Sequence, residues 1–257
     1  MPAIRSEDPA FPAHGAARAA SLSQLDDEVA TCRACPRLVA WREQVAAVKR
    51  AAFRDCDYWA KPVPGFGPTN AALAVVGLAP AAHGGNRTGR IFTGDEAGNV
   101  LYAALHAIGL SSQPTATHRG DGMVLFGVRI TAPVRCAPPA NKPSLLERHT
   151  CRPWLVRELE LLRPTLRAVV VLGAFGWQAV LPALAAAGWQ LPRPQPRFGH
   201  GRHTLLADTT GHREVHMVGC YHPSQRNTFT GRLTPAMLRD QLIYAAKLAG
   251  LHTGSSE

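Results

Sequence analysis

The chain has 257 residues, with 28 Lys and Arg against 18 Asp and Glu, a formal charge of +10. That length suits one large domain or two small ones, and 46% apolar residues exclude global disorder. No apolar run approaches the ~20 residues of a bilayer span, and Met1–Asp8 lacks the apolar region of a secretory leader, so a cytoplasmic protein without membrane contact is expected. The charge is uneven. Residues 1–31 carry two arginines and five acids, a net −3, which leaves +13 on residues 32–257. A body that basic is compatible with a polyanionic partner and does not require one.

In chain order, residues 1–21 are rich in Ala and Pro, show no period and are expected to form a flexible tail. Ser23 is the candidate N-cap of a short helix with an acidic first turn, Asp26-Asp27-Glu28. Leu38, Trp41, Val45 and Val48 recur at helical spacing and predict a helix over Pro36–Lys49, with Pro at its start. Residues 54–70 read as loop. Ala72–Leu78, Val124–Thr131, Arg167–Leu172 and Val215–Cys220 are short strand candidates, mostly continuous apolar runs of the buried parallel type. Between them lie helix candidates at Asn99–Ile108, at Ser144–Leu162 with Glu147 completing a capping box and Pro153 as a kink or restart, and at Phe175–Ala186. Residues 187–213 read as loops or a hairpin, and Thr234–Leu248 as the closing helix with Pro235 in its first turn. Strands alternating with helices predict an α/β fold: a three-layer α/β/α sandwich with a central, mostly parallel four-stranded sheet. Residues 22–251 are expected to form one domain, with 252–257 as a C-terminal tail.

Ligands of such folds sit at the carboxyl ends of the strands. The loop Gly77–Asp95 follows the first strand and holds six Gly or Pro, two Arg, Phe92 and Asp95. Gly84 and Gly89 have P-loop spacing, but Arg90 and Ile91 replace the Lys and Ser/Thr that a nucleoside triphosphate needs, so no nucleotide cofactor is expected. Exposed backbone N–H groups in such a loop still suit an anion. After the fourth strand, Tyr221–Gly231 offers His222, hydroxyls, an amide and Arg226 without an acid, a composition suited to phosphate contact beside a catalytic His.

Six cysteines with no secretory leader argue against a disulfide framework. Cys32 and Cys35 form a Cys-x2-Cys pair, and Cys136 and Cys151 are separated by fourteen residues. On spacing alone an iron–sulfur cluster, a zinc site and no metal stay open. Cys220 lies in a strand of buried type, and Cys56 is a competing thiol.

Three motifs together resemble one family. Gly77–Asp95, His222–Gly231, and the order Cys32/Cys35, Arg135-Cys136-Ala-Pro-Pro-Ala-Asn-Lys-Pro143, Cys151 are similar to the two active-site motifs and the cluster framework of the family 5 (type B) uracil-DNA glycosylases, over about residues 24–250. The resemblance implies a [4Fe–4S] cluster on Cys32, Cys35, Cys136 and Cys151. It implies a monofunctional, monomeric repair enzyme that hydrolyses the N-glycosidic bond of uracil, and of other deaminated or modified bases such as hypoxanthine, in flipped nucleotides of DNA. Asp95 and His222 would be catalytic. Gly77, Leu78, Ala79, Pro80, Phe92 and Asn141 would line the base pocket, and His83, Arg87, Ser224, Arg226 and Asn227 would contact DNA. Ala132 stands where the other iron–sulfur family places an Asn that reads uracil, which fits the type B branch and its broader substrate choice. Two rival functions remain: a non-catalytic module binding uracil-containing or single-stranded DNA, and a zinc-stabilised nucleotide hydrolase. Asp95 opposes the first, since a pure binder of an anionic ligand needs no carboxylate. The scarcity of acids in the active loops, only Asp95 and Glu96, opposes the second.

Overall fold

The computed structural model describes residues 4–254. Its centre is a five-stranded sheet in the order β2-β1-β3-β5-β4: β1 (Leu73–Val76), β2 (Val128–Thr131), β3 (Ala168–Leu172), β4 (His203–Ala207) and β5 (Glu214–Cys220). β1 pairs in parallel with both β2 and β3, β3 pairs in parallel with β5, and β4 runs antiparallel on the edge. The sheet thus has five strands where four were expected. The added strand forms a hairpin with β5 and is largely exposed, so it lacks the continuous apolar run that betrays a central strand. β1 and β2 are shorter than expected, and β3 and β5 each differ from expectation by one residue at the N-terminal end.

The pleat sorts the strand residues between two cores. Ala74, Val76, Val169, Val171, Val215 and Met217 face one layer, built from α1 (Phe11–Arg18), α2 (Leu22–Thr31), α6 (Leu145–Leu162) and α7 (Ala174–Ala186). Leu73, Val75, Ala168, Val170, Leu172, Val218 and Cys220 face the other, built from α5 (Glu96–His106) and α9 (Pro235–Leu248). α3 (Pro36–Val48) and the short α4 (Gly85–Thr88) and α8 (Gln225–Phe229) complete the described helices.

Several boundaries differ from expectation for local reasons. The N-terminal segment is not a flexible tail over Phe11–Arg18: α1 packs on α6, with Phe11 edge-on to Trp154 at 6.1 Å, and Arg157 Nε donates to the Ala19 carbonyl at 2.9 Å. Residues 1–3 and 255–257 of the two expected tails lie outside the described residues. The N-cap of α2 is Ser21, whose hydroxyl accepts from Gln24 N, which moves Asp26–Glu28 to mid-helix. α3 buries Leu38, Val39, Arg42 and Val45, while Val48 is 77% exposed. α5 starts three residues early because Asp95 caps it. Ser144 and Glu147 form the expected capping box, and Pro153 sits inside one continuous α6, followed by the fully buried Trp154 and Leu155.

One buried charge network joins the layers. Glu158 of α6 accepts from Arg129 of β2, from Thr131 Oγ1 at 2.6 Å and from Arg135, and Arg129 also pairs with Asp26 of α2. Burial alone would raise the Glu158 carboxyl, but Arg135, Arg129 and the Thr131 hydroxyl outweigh it and hold it down to about 2. Removing one partner of a buried pair leaves an uncompensated charge, which costs about 3–5 kcal/mol. Glu158→Gln is therefore expected to lower the melting temperature by on the order of 10 °C for a domain of this size, measured by calorimetry.

Candidate active site

All four parallel strands end at one edge of the sheet, and the expected loops meet there. Gly77 closes β1 by donating to the Thr131 carbonyl at 2.9 Å, so its N–H is spent within the sheet. The N–H groups of Leu78 and Ala79 have no partner among the described residues. They stand free at the strand end, where an anion can take them. Pro80 is buried and packs near Gly85.

Phe92 crosses from the first loop and lies beside His222 from the loop after β5, their rings 5.7 Å apart at 31°. A Cβ on Gly77 would stand 2.7 Å from the Phe92 ring, so only glycine lets the ring settle on the strand end. Phe92 itself has φ of 52°, rare for an aromatic residue and the mark of a backbone held by its surroundings. The Ile91 carbonyl beside it accepts from Tyr102 Oη and Thr93 Oγ1. Burial pushes the His222 imidazole down to about 4, so the ring is neutral at physiological pH. Its carbonyl accepts from Asn227 Nδ2 at 2.8 Å.

Asp95 caps α5 with Oδ1, accepting from Gly98 N at 2.9 Å. Its Oδ2 lies over Gly84, where an added Cβ would stand 2.0 Å away. Burial raises the Asp95 carboxyl above the usual range against the pull of the Gly98 and Ala97 amides and the Arg87 charge. Burial thus holds the His222 imidazole neutral and raises the Asp95 carboxyl, and perturbed titratable groups of this kind mark candidate functional residues.

Not every expected site residue turns outward. Arg87 donates to the His83 carbonyl at 2.8 Å and to the Gly94 carbonyl at 3.1 Å, and its guanidinium lies 4.1 Å over the Phe53 ring. His83 pairs with Tyr58 Oη at 2.8 Å. Both residues brace the first loop, as Asn227 braces the second. Ser224 caps α8 by position, and Arg226 is exposed. Asn141 lies in a 3-10 turn (Pro139–Asn141) with φ of 55°, exposed and without a hydrogen bond from its side chain to the Phe92–His222 pair.

A second site lies between α3, the N-terminus and the segment after β2. Cys32, Cys35, Cys136 and Cys151 line one cleft with Pro12, Leu38 and Trp154. Among the described residues no three His, Cys, Asp or Glu side chains close on a single metal ion. Four thiols around one cleft are a donor set that an iron–sulfur cluster or a zinc ion can use. Burial and mutual repulsion push Cys35 up to about 12, and burial drives Cys136 to about 11 and Cys151 well above the ordinary thiol. The bare thiolates are therefore disfavoured there, and a bound cationic group would stabilise them. Arg42 supports the same charge balance. It is 1% exposed, donates to Cys136 Sγ at 2.9 Å and to the Cys32 carbonyl at 3.2 Å, and leaves Nε without a partner. No carboxylate pairs with it among the described residues. The Arg42 guanidinium also stabilises the Glu43 carboxylate electrostatically, so it serves both the thiol cleft and a neighbouring acid. Sequence reasoning missed Arg42, although it lies four residues after Leu38 and three before Val45, a charge inside an apolar helical stripe. Its backbone carbonyl accepts from the buried Asn86 side chain of α4 at 3.1 Å, so the thiol site touches the first active loop.

Residues 64–245 match the Uracil DNA glycosylase superfamily. The chain is 54% identical over 233 residues to the type-5 uracil-DNA glycosylase of Mycobacterium bovis, covering 91% of this chain and 84% of that one. It is 52% identical to that of Mycobacterium leprae, over 91% and 98% of the two chains, and 50% identical to that of Thermus thermophilus, over 86% and 94%.

Gly84→Ala tests how Asp95 is held. A methyl group 2.0 Å from Oδ2 must displace the carboxylate. The variant should keep its fold by circular dichroism, while the carboxyl titration of Asp95, followed by NMR, falls toward the ordinary range as burial is relieved.

Proposed function

Because the chain belongs to the type-5 branch of the uracil-DNA glycosylase superfamily, and is an enzyme that cleaves the N-glycosidic bond of uracil in DNA, we propose how its residues divide that work. The base must leave the duplex to be reached. Phe92 forms the stacking floor for the extruded base, and Leu78 and Ala79 present free N–H groups to its carbonyl edge. Cleavage leaves an oxocarbenium sugar and a uracil anion, and both charges need stabilisation. His222, neutral above about pH 4, donates a hydrogen bond to the developing charge on uracil O2. Asp95, when ionised, faces the sugar cation and takes the proton of the attacking water. The contact of the Phe92 and His222 rings at the strand end, with the buried Asp95 carboxyl later in the same loop as Phe92, is the observation that carries this assignment.

The broader substrate range rests on the resemblance of the Ala132 position to the type B branch. Ala132 is buried at the end of β2 and offers no hydrogen bond to a base edge. We therefore include hypoxanthine and other deaminated bases as substrates, in a monomeric cytoplasmic enzyme. Among the described residues no helix is long and apolar enough to cross a membrane. Ser224 and Arg226 contact the DNA backbone, with the strong salt dependence of phosphate binding. His83, Arg87 and Asn227 act by positioning the two loops. Asn141, exposed in the turn after Cys136, is assigned to the rim of the base pocket.

Cys32, Cys35, Cys136 and Cys151 hold a [4Fe–4S] cluster that fastens the N-terminal helices to the segment after β2. Arg42 balances its charge. When bound, the cluster supplies structural cross-linking. None of the residues assigned to bond cleavage belongs to the cysteine cleft.

Two experiments test the proposal. Purified protein incubated with a uracil-containing oligonucleotide should release free uracil and leave an alkali-labile site. Asp95→Asn should slow single-turnover release by about 10²–10⁴; wild-type rates in that variant would remove Asp95 from catalysis. Protein prepared without oxygen should be brown and carry about four iron atoms per chain. Cys151→Ser should lose the colour, and zinc in place of iron would refute the cluster.

A further inference from the structure

A groove between α6 and α7 holds cations that no acid pairs with among the described residues. Arg148, His149 and Arg152 of α6 line it, with Ala179 and Pro182 of α7 and Pro133 just after β2, and no acid is among the lining residues. Arg148 and Arg152 are half-buried, and His149 is exposed. Arg148 and Arg152 stand four residues apart on one helix, a like-charge pair that destabilises it. Arg148 also closes the first turn of α6, near the positive end of the helix dipole, where a cation is unfavourable. The three acids of α6 are engaged elsewhere: Glu147 with Arg37, Glu158 with Arg129 and Arg135, and Glu160 with Arg157. Arg148 Nη1 is buried without a hydrogen-bond partner among the described residues, and a buried charged donor left unpaired is costly. The groove lies beside the active edge of the sheet. The Arg148 guanidinium sits 5.6 Å from the centre of the Phe175 ring, in the first turn of α7. Gly173 caps that helix, and a Cβ added there would stand 3.3 Å from His222 Cβ.

We propose that the groove binds a backbone phosphate of the DNA substrate, held by Arg148 and Arg152 with His149 at the mouth. The proposal rests on the glycosylase reading above. An oxyanion between the two guanidinium groups relieves their repulsion and gives Arg148 Nη1 its missing acceptor. Guanidinium forks match the oxygens of a phosphate, which accept two parallel N–H groups from one fork. The Phe175 ring holds the Arg148 guanidinium by a cation–π contact, so that fork is positioned before DNA arrives. Because α7 begins against His222, a phosphate held here fixes the duplex relative to the active edge from the α6–α7 side. A free inorganic phosphate has the same chemistry, but the place of the groove beside the active loops favours a phosphate of the substrate itself.

Binding is measured against salt concentration on a duplex carrying 2′-fluoro-2′-deoxyuridine, whose fluorine disfavours the oxocarbenium sugar and so blocks cleavage. The double variant Arg148→Gln/Arg152→Gln should make the slope of log K against log salt shallower by about 0.9, the loss of one phosphate contact, and weaken binding about eightfold at ~0.1 M salt. Single-turnover uracil release at saturating DNA should be unchanged. The melting temperature should be unchanged or higher, because the repulsion is relieved. Single methylphosphonates, each neutral in place of one phosphate, are then walked along the duplex. One position should weaken wild type and leave the double variant unaffected. An unchanged slope, or a scan in which wild type and variant respond alike at every position, would overturn the proposal. If the double variant melts early, Arg152→Gln alone is put through the same slope and scan, with the same two outcomes deciding. Inorganic phosphate at constant ionic strength tests for a free anion. A rise in the melting temperature of wild type that the double variant lacks, together with an unchanged DNA slope, would assign the groove to free phosphate and overturn the DNA contact. Failure of wild type to release uracil from a cleavable duplex would instead refute the glycosylase reading, since the slope and the scan involve no cleavage.

Discussion

The buried carboxylate of Glu158 is the contact on which the arrangement depends. Glu158 and Cys151 lie seven residues apart on α6 and so face the same way. The first draws in Arg129, Thr131 and Arg135 of the β2 end, and the second accepts from Arg135 N at 3.4 Å. One helix face thereby fixes the direction in which the chain leaves β2, and with it the place of Cys136. Arg129 extends the network to Asp26, which secures α2 and brings Cys32 and Cys35 to the same cleft. A charge network of this kind adds little stability over a well-packed apolar core. Its value here is geometric, since it sets two segments distant in sequence against each other.

The thiol cleft and the active edge meet through α3. Arg42 reaches Cys136 with its side chain and Asn86 with its carbonyl, and Asn86 donates from its backbone to Ala81 of the first active loop. The cysteines thus need no part in bond cleavage to matter for it. At the strand edge, burial sets the two titratable groups to complementary states: the imidazole neutral and the carboxyl raised. The same enclosure strengthens any hydrogen bond offered to a developing charge.

Much of this was legible in the residues. The parallel strands were visible because a strand buried on both faces is a continuous apolar run, as in Leu73–Val76 and Ala168–Leu172. The loops at the strand ends followed from that. β4 was not visible as a strand because an exposed edge strand such as His203–Ala207 has no such run. α1 was missed because its residues are small, and its order comes from contacts with α6 more than a hundred residues away. Arg87 and Asn227 were read as DNA contacts because a polar side chain in a basic loop has no visible partner until the fold supplies one.

The pH dependence of single-turnover uracil release tests the central assignment most directly. Asp95 must be ionised to accept a proton, and burial raises its carboxyl. The rate should therefore rise with pH through a midpoint above the ordinary carboxylate range, and Asp95→Asn should abolish that limb. A rate that stays flat through this range, or an acid limb unchanged in Asp95→Asn, would contradict the account.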